Sequence, residues 1–165
     1  MKPILSLLFF ISVTTKSQTI YIVRHAEKAA QVTNMSSDVP LSEAGAQRAE
    51  ELKKLLLNKK IAYIFSTDRI RTRSTAKPLS DAIGVKVELY ANDTMPKFIE
   101  KVKALKKNIL IIGHSNTIDD LVNILCGEKK VPADFAETDY DNLLVVKFKK
   151  KKILFEHKTY GVNTQ

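Results

Sequence analysis

Tyr21-Ile22-Val23-Arg24-His25-Ala26-Glu27-Lys28 is the stretch from which the architecture follows. Ile20 to Val23 is apolar and largely β-branched, and it stops abruptly at an arginine and a histidine with polar neighbours. Ile109-Leu110-Ile111-Ile112-Gly113-His114-Ser115-Asn116-Thr117 repeats the pattern far downstream. Continuous apolar runs of this length are the signature of parallel strands buried on both faces. Open α/β sheets bind ligands just beyond the carboxyl ends of their strands. Two of the three histidines are therefore expected at one edge of one sheet, the first beside Arg24.

Strand and helix patterns alternate along the rest of the chain, without linkers or repeats. Ile20–Arg24 reads as the first strand. Leu41-Ser42-Glu43-Ala44-Gly45 opens a helix with Ser42 as N-cap, and Ala46, Ala49, Leu52, Leu55 and Leu56 recur at helical spacing. Ile61–Phe65 reads as a second strand. Arg69–Ile83 reads as a helix closed by Gly84. Val85–Leu89 is a short strand, and a helix runs from Thr94 to about Leu105 with Pro96 in its first turn. Ile109–Ile112 is the fourth strand, followed by a helix over Thr117–Cys126. Leu143–Phe148 and Lys152–His157 alternate like a hairpin. This order predicts an α/β fold: a three-layer α/β/α sandwich with a mainly parallel sheet and a C-terminal hairpin.

The N-terminus carries a different signal. Lys2 is followed by an apolar stretch from Ile4 to Val13, broken by Ser6 and Ser12. Thr15 and Ser17 are small residues spaced for signal-peptidase cleavage before Gln18. Residues 1–17 are read as a signal peptide, too short for a comfortable membrane span. Residues 18–165 then form one domain of a size that supports a proper core. A secreted or periplasmic location is expected, with no stable membrane insertion after cleavage.

The formal charge is +9, which suits an anionic substrate or an anionic envelope surface. No aromatic-rich basic patch, metal-finger spacing or nucleic-acid module accompanies it, so nucleic acid is not expected as a partner. The lone Cys126 excludes an internal disulfide, and its apolar neighbours Leu121, Val122, Ile124 and Leu125 suggest a buried thiol. Lys149 to Lys152 reads as a solvated turn that blunts an edge strand. His157 has no motif around it and reads as structural. Asp119 and Asp120 fit the first turn of their helix.

The two strand-end histidines suggest phosphate chemistry. A neutral imidazole can attack a phosphoryl group and carry it as a phosphohistidine. The phosphate needs fixed cationic donors, and arginine's planar fork meets two of its oxygens at once. Arg24 is adjacent to His25. Ser66-Thr67-Asp68-Arg69-Ile70-Arg71-Thr72-Arg73-Ser74-Thr75-Ala76 supplies three more arginines at the end of the second strand. Nearby cations also keep His25 unprotonated, as attack requires. The histidines and scattered carboxylates match no standard metal site, so neither metal nor cofactor is expected.

Four segments, in order, resemble the histidine phosphatase superfamily with its phosphoglycerate-mutase-like fold. Arg24-His25-Ala26-Glu27 is similar to the family's Arg-His-Gly-Glu, with Ala26 in place of glycine. Leu41-Ser42-Glu43-Ala44-Gly45 is similar to its Leu-Thr/Ser-x-x-Gly helix start. Ser66 to Ala76 resembles its Ser-Ser-x-Leu-x-Arg-Ala-x-x-Thr-Ala, a register in which Arg71 is the phosphate-binding arginine. Gly113-His114-Ser115-Asn116 matches its Gly-His-Ser-Asn segment. The resemblance implies that His25 is the phosphorylated nucleophile, and that Arg24, Arg71 and His114, with Ser115 beside them, bind the phosphoryl oxygens. Many members place a general acid after the third strand. Here Asp93 holds that position, and Glu27, next but one to the nucleophile, is the other candidate.

The expected function is that of an exported phosphomonoesterase acting on a small or surface-displayed phosphorylated substrate. Alternatives are a phosphohistidine phosphatase acting on signalling proteins, a phosphoglycerate-type mutase and a non-catalytic phosphate-binding module. Connections read as short throughout, which predicts an open mouth, with Asn34 to Val39 as one wall.

Overall fold

The computed structural model of the chain describes residues 17–30, 38–150 and 152–164. The leader read over residues 1–17 falls, apart from Ser17, outside them, as does the 34–37 part of the expected wall. In chain order the elements are β1 (Gln18–Arg24), α1 (Glu43–Leu56), β2 (Ile61–Ser66), α2 (Ile70–Ile83), β3 (Val87–Leu89), a 3₁₀ turn (Asn92–Thr94), α3 (Met95–Leu105), β4 (Asn108–Gly113), α4 (Ile118–Cys126), β5 (Asn142–Lys149) and β6 (Lys152–Thr159).

The six strands form one sheet in the order β3-β2-β4-β1-β5-β6. β3, β2, β4 and β1 are mutually parallel. β5 pairs antiparallel with both β1 and β6, forming the expected terminal hairpin. Alternation within β4 shows why its sequence had to be apolar throughout. Ile109 and Ile111 pack with Phe98, Ile99, Val102, Leu121 and Leu125 of α3 and α4. Leu110 and Ile112 pack on the opposite face with Leu52, Leu56, Ala76 and Leu79 of α1 and α2. All four β4 side chains are fully buried, each worth about 1.5–3 kcal/mol.

Right-handed crossovers explain the two helical layers. The path β1-α1-β2-α2-β3 moves one way along the sheet and lays α1 and α2 on one face. The return through α3, β4 and α4 lays helices on the other face. β1 and β4 are neighbours, yet their carboxyl ends lead to opposite faces. That divergence opens a crevice between them, the usual ligand position in such sheets.

Two local expectations shift. Residues 85 and 86 lie outside β3, because the Val85 carbonyl is bound by Ser80 Oγ at 2.7 Å and stays tied to α2. Gly84 closes α2 with a φ of 67°, a left-handed conformation that suits glycine. Cys126 is half-buried rather than sealed, with burial pushing its thiol pKa up. Asp119 and Asp120 occupy the first turn of α4 as expected.

One expectation about loops is overturned. The stretch from Gly127 to Asp141 between α4 and β5 is a long irregular connection and not a short one. Loops of this length in compact domains are usually functional. This one is pinned by Asn123, whose Oδ1 accepts from the Lys130 and Val131 amides and whose Nδ2 donates to the Val131 carbonyl. It then crosses the crevice.

Candidate active site

Strand register sets the spacing of the two histidines. Arg24 of β1 stands opposite Gly113 of β4, and the next residue on each strand is a histidine. The His25 amide donates to the Gly113 carbonyl at 3.0 Å, extending the ladder by one rung. Adjacent strands run about 4.8 Å apart, and the imidazole centroids are 5.4 Å apart.

His25 is held in one tautomer. Its Nδ1 lies 2.8 Å from the Ala26 carbonyl. A carbonyl only accepts, so Nδ1 carries the proton and Nε2 of the neutral ring keeps a free lone pair. Burial, and then the positive charges of Arg24 and Arg71, push the His25 pKa down to about 3, against the opposing pull of the Ala26 bond. The ring is thus neutral at physiological pH, with a bare nitrogen that is chemically able to act as a nucleophile.

His114 sits in a hydroxyl chain. Thr72 Oγ1 donates to the Thr67 carbonyl at 2.8 Å, Thr67 Oγ1 donates to Thr72 at 3.2 Å, and His114 Nε2 completes the chain at 2.9 Å from Thr67. With Thr67's proton used, Nε2 is the donor. Burial first, then Arg71, Arg69 and Arg24, hold the His114 pKa down to about 4. A bound phosphate dianion would act in the opposite sense and favour the imidazolium.

Arg24 is only 1% exposed. Its Nη1 donates to the Ala136 carbonyl at 2.8 Å and, more weakly, to Asp139 at 3.4 Å. Its Nη2 donates to Glu137 Oε2 at 2.9 Å, and the guanidinium lies 4.3 Å from the Tyr140 ring centroid. Its Nε is buried and unpartnered. Arg71 comes from the first turn of α2, with Nη1 3.7 Å from Asp38 and its own Nε buried and unpartnered. Asp38 also accepts from the Ile70 amide at the start of α2. Thr75 couples the two halves: it accepts from the Ala26 amide at 2.9 Å and donates to the Arg71 carbonyl at 2.8 Å.

Several of these groups line a pocket of about 780 Å³, with Arg24 buried behind its wall. His25, Arg71, His114 and Ser115 line it together with Lys28, Thr67, Tyr90, Asn92 and Glu137. The structure therefore gathers His25, Arg24, Arg71, His114 and Ser115. The two acid candidates are placed elsewhere. Asp93 lies exposed in the 3₁₀ turn, and its neighbour Asn92 lines the pocket in its place. Glu27 faces Arg48, accepting from its Nε and Nη2 at 2.7–2.9 Å, and lines a separate depression. Arg48 draws it there because that buried guanidinium needs an anion, while its other donors hold the Tyr160 and Val162 carbonyls.

Glu137 is the residue that sequence reasoning missed. Besides Arg24, it accepts from Ser115 Oγ at 2.6 Å and lies 3.8 Å from Lys28 Nζ. The Ser115 bond and the positive charges of Arg24 and Lys28 hold its carboxyl below the usual range. Its loop has no periodicity, and the only available signal was the length of the unassigned stretch. His157 is structural: its Nε2 lies 2.6 Å from Asn142 Oδ1, and its ring packs edge-on against Phe135.

Chemically, the pocket offers the bare Nε2 of His25 and the Arg71 guanidinium, with buried Arg24 close behind and the His114 ring beside them, whose second nitrogen becomes a donor when a bound anion favours the imidazolium. That set neutralises and orients a tetrahedral oxyanion beside a nucleophile.

Residues 20–93 match the profile of the histidine phosphatase superfamily, branch 1. The chain is 39% identical over 69 residues to the probable phosphoglycerate mutase GpmB of Yersinia pestis, a match covering 40% of this chain and 32% of that protein. The alignment thus spans about a third of the curated relative. Among solved structures, the protein histidine phosphatase SixA in complex with tungstate superposes with a TM-score of 0.68 at 17% identity, covering 86% of this chain and 96% of that one. A mycobacterial glucosyl-3-phosphoglycerate phosphatase superposes with a TM-score of 0.64 at 13% identity, covering 89% and 100%. At these identities the structural likeness is one of fold.

Proposed function

We propose that this chain, which belongs to the histidine phosphatase superfamily, hydrolyses phosphate monoesters through a phosphohistidine at His25. The observation that carries the reading is the Nδ1 bond of His25 to the Ala26 carbonyl, which leaves Nε2 bare beside Arg24, Arg71 and His114. Nε2 attacks phosphorus, a P–N bond forms, and the bond to the leaving oxygen breaks with its electron pair. Arg24, Arg71 and His114 stabilise the charge on the remaining phosphoryl oxygens. Water then attacks the phosphohistidine, releasing inorganic phosphate and restoring the neutral ring. The cationic set supplies the charge neutralisation, and we take the reaction to be metal-independent. The apolar leader read over residues 1–17 supports an exported, periplasmic or secreted enzyme.

A second reading concerns the leaving group, and the placement of Asp93 and Glu27 outside the pocket favours it. An alkoxide needs a proton from a positioned acid. The imidazole released from a phosphohistidine is a far weaker base and leaves with solvent protonation alone. A phosphohistidine side chain on another protein is therefore a fitting substrate, and SixA, whose chain this fold covers nearly completely, is named for that activity.

The test is a neutral-pH quench of the full-length protein mixed with ³²P-labelled aryl phosphate. An acid-labile label on His25, absent from His25→Ala, is expected. A label on serine, aspartate or His114 would overturn the mechanism.

A further inference from the structure

Arginine grips a phosphate in bidentate fashion through adjacent N–H groups of its fork. In Arg24, Nη1 is committed to the Ala136 and Asp139 carbonyls of the crossing loop. The edge left for an oxyanion is Nε with Nη2. Nε is buried without a partner, and Nη2 is held by Glu137. The other Glu137 oxygen holds the Ser115 hydroxyl, and Lys28 stands nearby. Glu137, which lines the pocket where Arg24 does not, thus stands on donors that a phosphoryl group would call on.

We propose that Glu137 is the internal counter-anion of the phosphate pocket, a positioning residue that holds Arg24 and Ser115 in the empty enzyme and yields them to the phosphoryl group. The proposal rests on the phosphatase reading given above. The loop itself need not open. Its backbone is fixed by the Ala136 and Asp139 carbonyls on Arg24 and by the Phe135 amide on the Ser115 carbonyl at 3.1 Å. The Glu137 side chain is 69% exposed, so rotation about its own bonds carries the carboxylate into solvent. Exchange of one anion for another also spares the buried Arg24 charge an unpaired state, which is costly.

The functional consequence concerns product. A self-supplied anion lowers the pocket's affinity for a bare oxyanion by the fraction of time it occupies the donors. An ester with further contacts overcomes the competition, whereas inorganic phosphate is expelled. Glu137 therefore tunes the pocket against its own product.

Calorimetric titration of inorganic phosphate into the full-length protein tests this. Glu137→Gln is expected to bind phosphate about tenfold more tightly than wild type, a change of about 1.4 kcal/mol, and Glu137→Ala should do likewise. Asp134→Asn removes the same charge from another pocket-lining residue, one outside the set that hydrogen-bonds Arg24, and should change affinity less than about twofold, as expected of a screened surface charge. Wild type binding as tightly as Glu137→Gln, or more tightly, would overturn the proposal, as would an equal gain in Asp134→Asn. Absence of phosphate binding in every protein would instead remove the phosphatase reading, and this proposal with it.

Discussion

Gly45→Ala should damage the pocket from a distance. Gly45 lies in the first turn of α1, where a Cβ would sit 2.2 Å from the Glu27 carbonyl oxygen and 3.0 Å from the Glu27 backbone C and N. Ordinary contact begins near 3.4 Å, so the helix start and the segment after His25 must part by about 1.2 Å. The Ser42 amide bond to that same carbonyl, 2.9 Å, would stretch with it. Helix propensity alone predicts the opposite effect, a gain of about 1 kcal/mol for Ala over Gly. Overpacking typically costs about 1–3 kcal/mol, and here the obstructing atoms are backbone, which cannot rotate aside. The clash should win, leaving a net cost of up to about 2 kcal/mol and lowering Tm by up to roughly 8 °C at about 2–4 °C per kcal/mol for a chain of this size. On the proposed function, a shift near 1 Å beside His25 should also reduce turnover of an aryl phosphate about 100-fold. Gly84→Ala is the control. Its φ of 67° costs about 1–2 kcal/mol, but nothing lies within 4 Å of its Cβ position, so Tm should fall with turnover intact. Melting curves and initial rates on the three proteins decide the matter. A Gly45→Ala protein as stable and active as wild type would refute the packing of α1 on the segment that follows His25.

Arg71→Ala should lose about 10²–10³ in turnover, as expected for a transition-state donor, while Arg73→Ala, whose exposed guanidinium pairs with Asp68, should stay near wild type; the reverse ranking would refute the register. His25 should make stability acid-sensitive. Between its ordinary value of 6.5 and about 3 the unfolded chain binds a proton that the folded ring refuses, so stability falls as pH drops through that window. Tm measured at pH 7.5 and 4.5 should drop less in His25→Gln, and an unchanged drop would contradict the assignment. Glu27→Gln should lower stability by up to about 3–5 kcal/mol by stranding the buried Arg48 charge, and should slow nitrophenyl and alkyl phosphates alike. A selective loss on the alkyl ester would identify Glu27 as the proton donor after all. Prolonged chelation with EDTA should leave hydrolysis unchanged, and loss of activity restored by a divalent ion would refute the metal-free reading.

The residues that could be read from sequence are those governed by local rules. The apolar runs of β1 and β4 announce burial on both faces, and a histidine directly after such a run can only stand at the sheet's carboxyl edge. Ser42 caps α1 through its Oγ, accepting from the Gly45 amide as its position implies. Tertiary pairing obeys no such rule. Glu137 meets Arg24 across 113 positions of sequence, from a loop whose composition advertises nothing. Glu27 stands within two residues of His25, yet a guanidinium from α1 turns it away. Sequence proximity to His25 favoured it, and the charge requirement of a buried arginine prevailed.

The strand order has a consequence for how the molecule comes together. β4 enters the sheet between β1 and β2, so the two strands made first never touch each other. The segment matched by the family profile contains His25, Arg24 and Arg71 but lacks the central strand that joins them. A nascent chain of that length exposes both flanks of an unfilled slot, Ile22 and Val23 on one side and Ile64 and Phe65 on the other. The slot closes only when residues about 90 positions downstream arrive, and such non-local pairing is intrinsically slow. The pocket should therefore be the last feature to mature on refolding, and its recovery a direct clock for insertion of the middle strand.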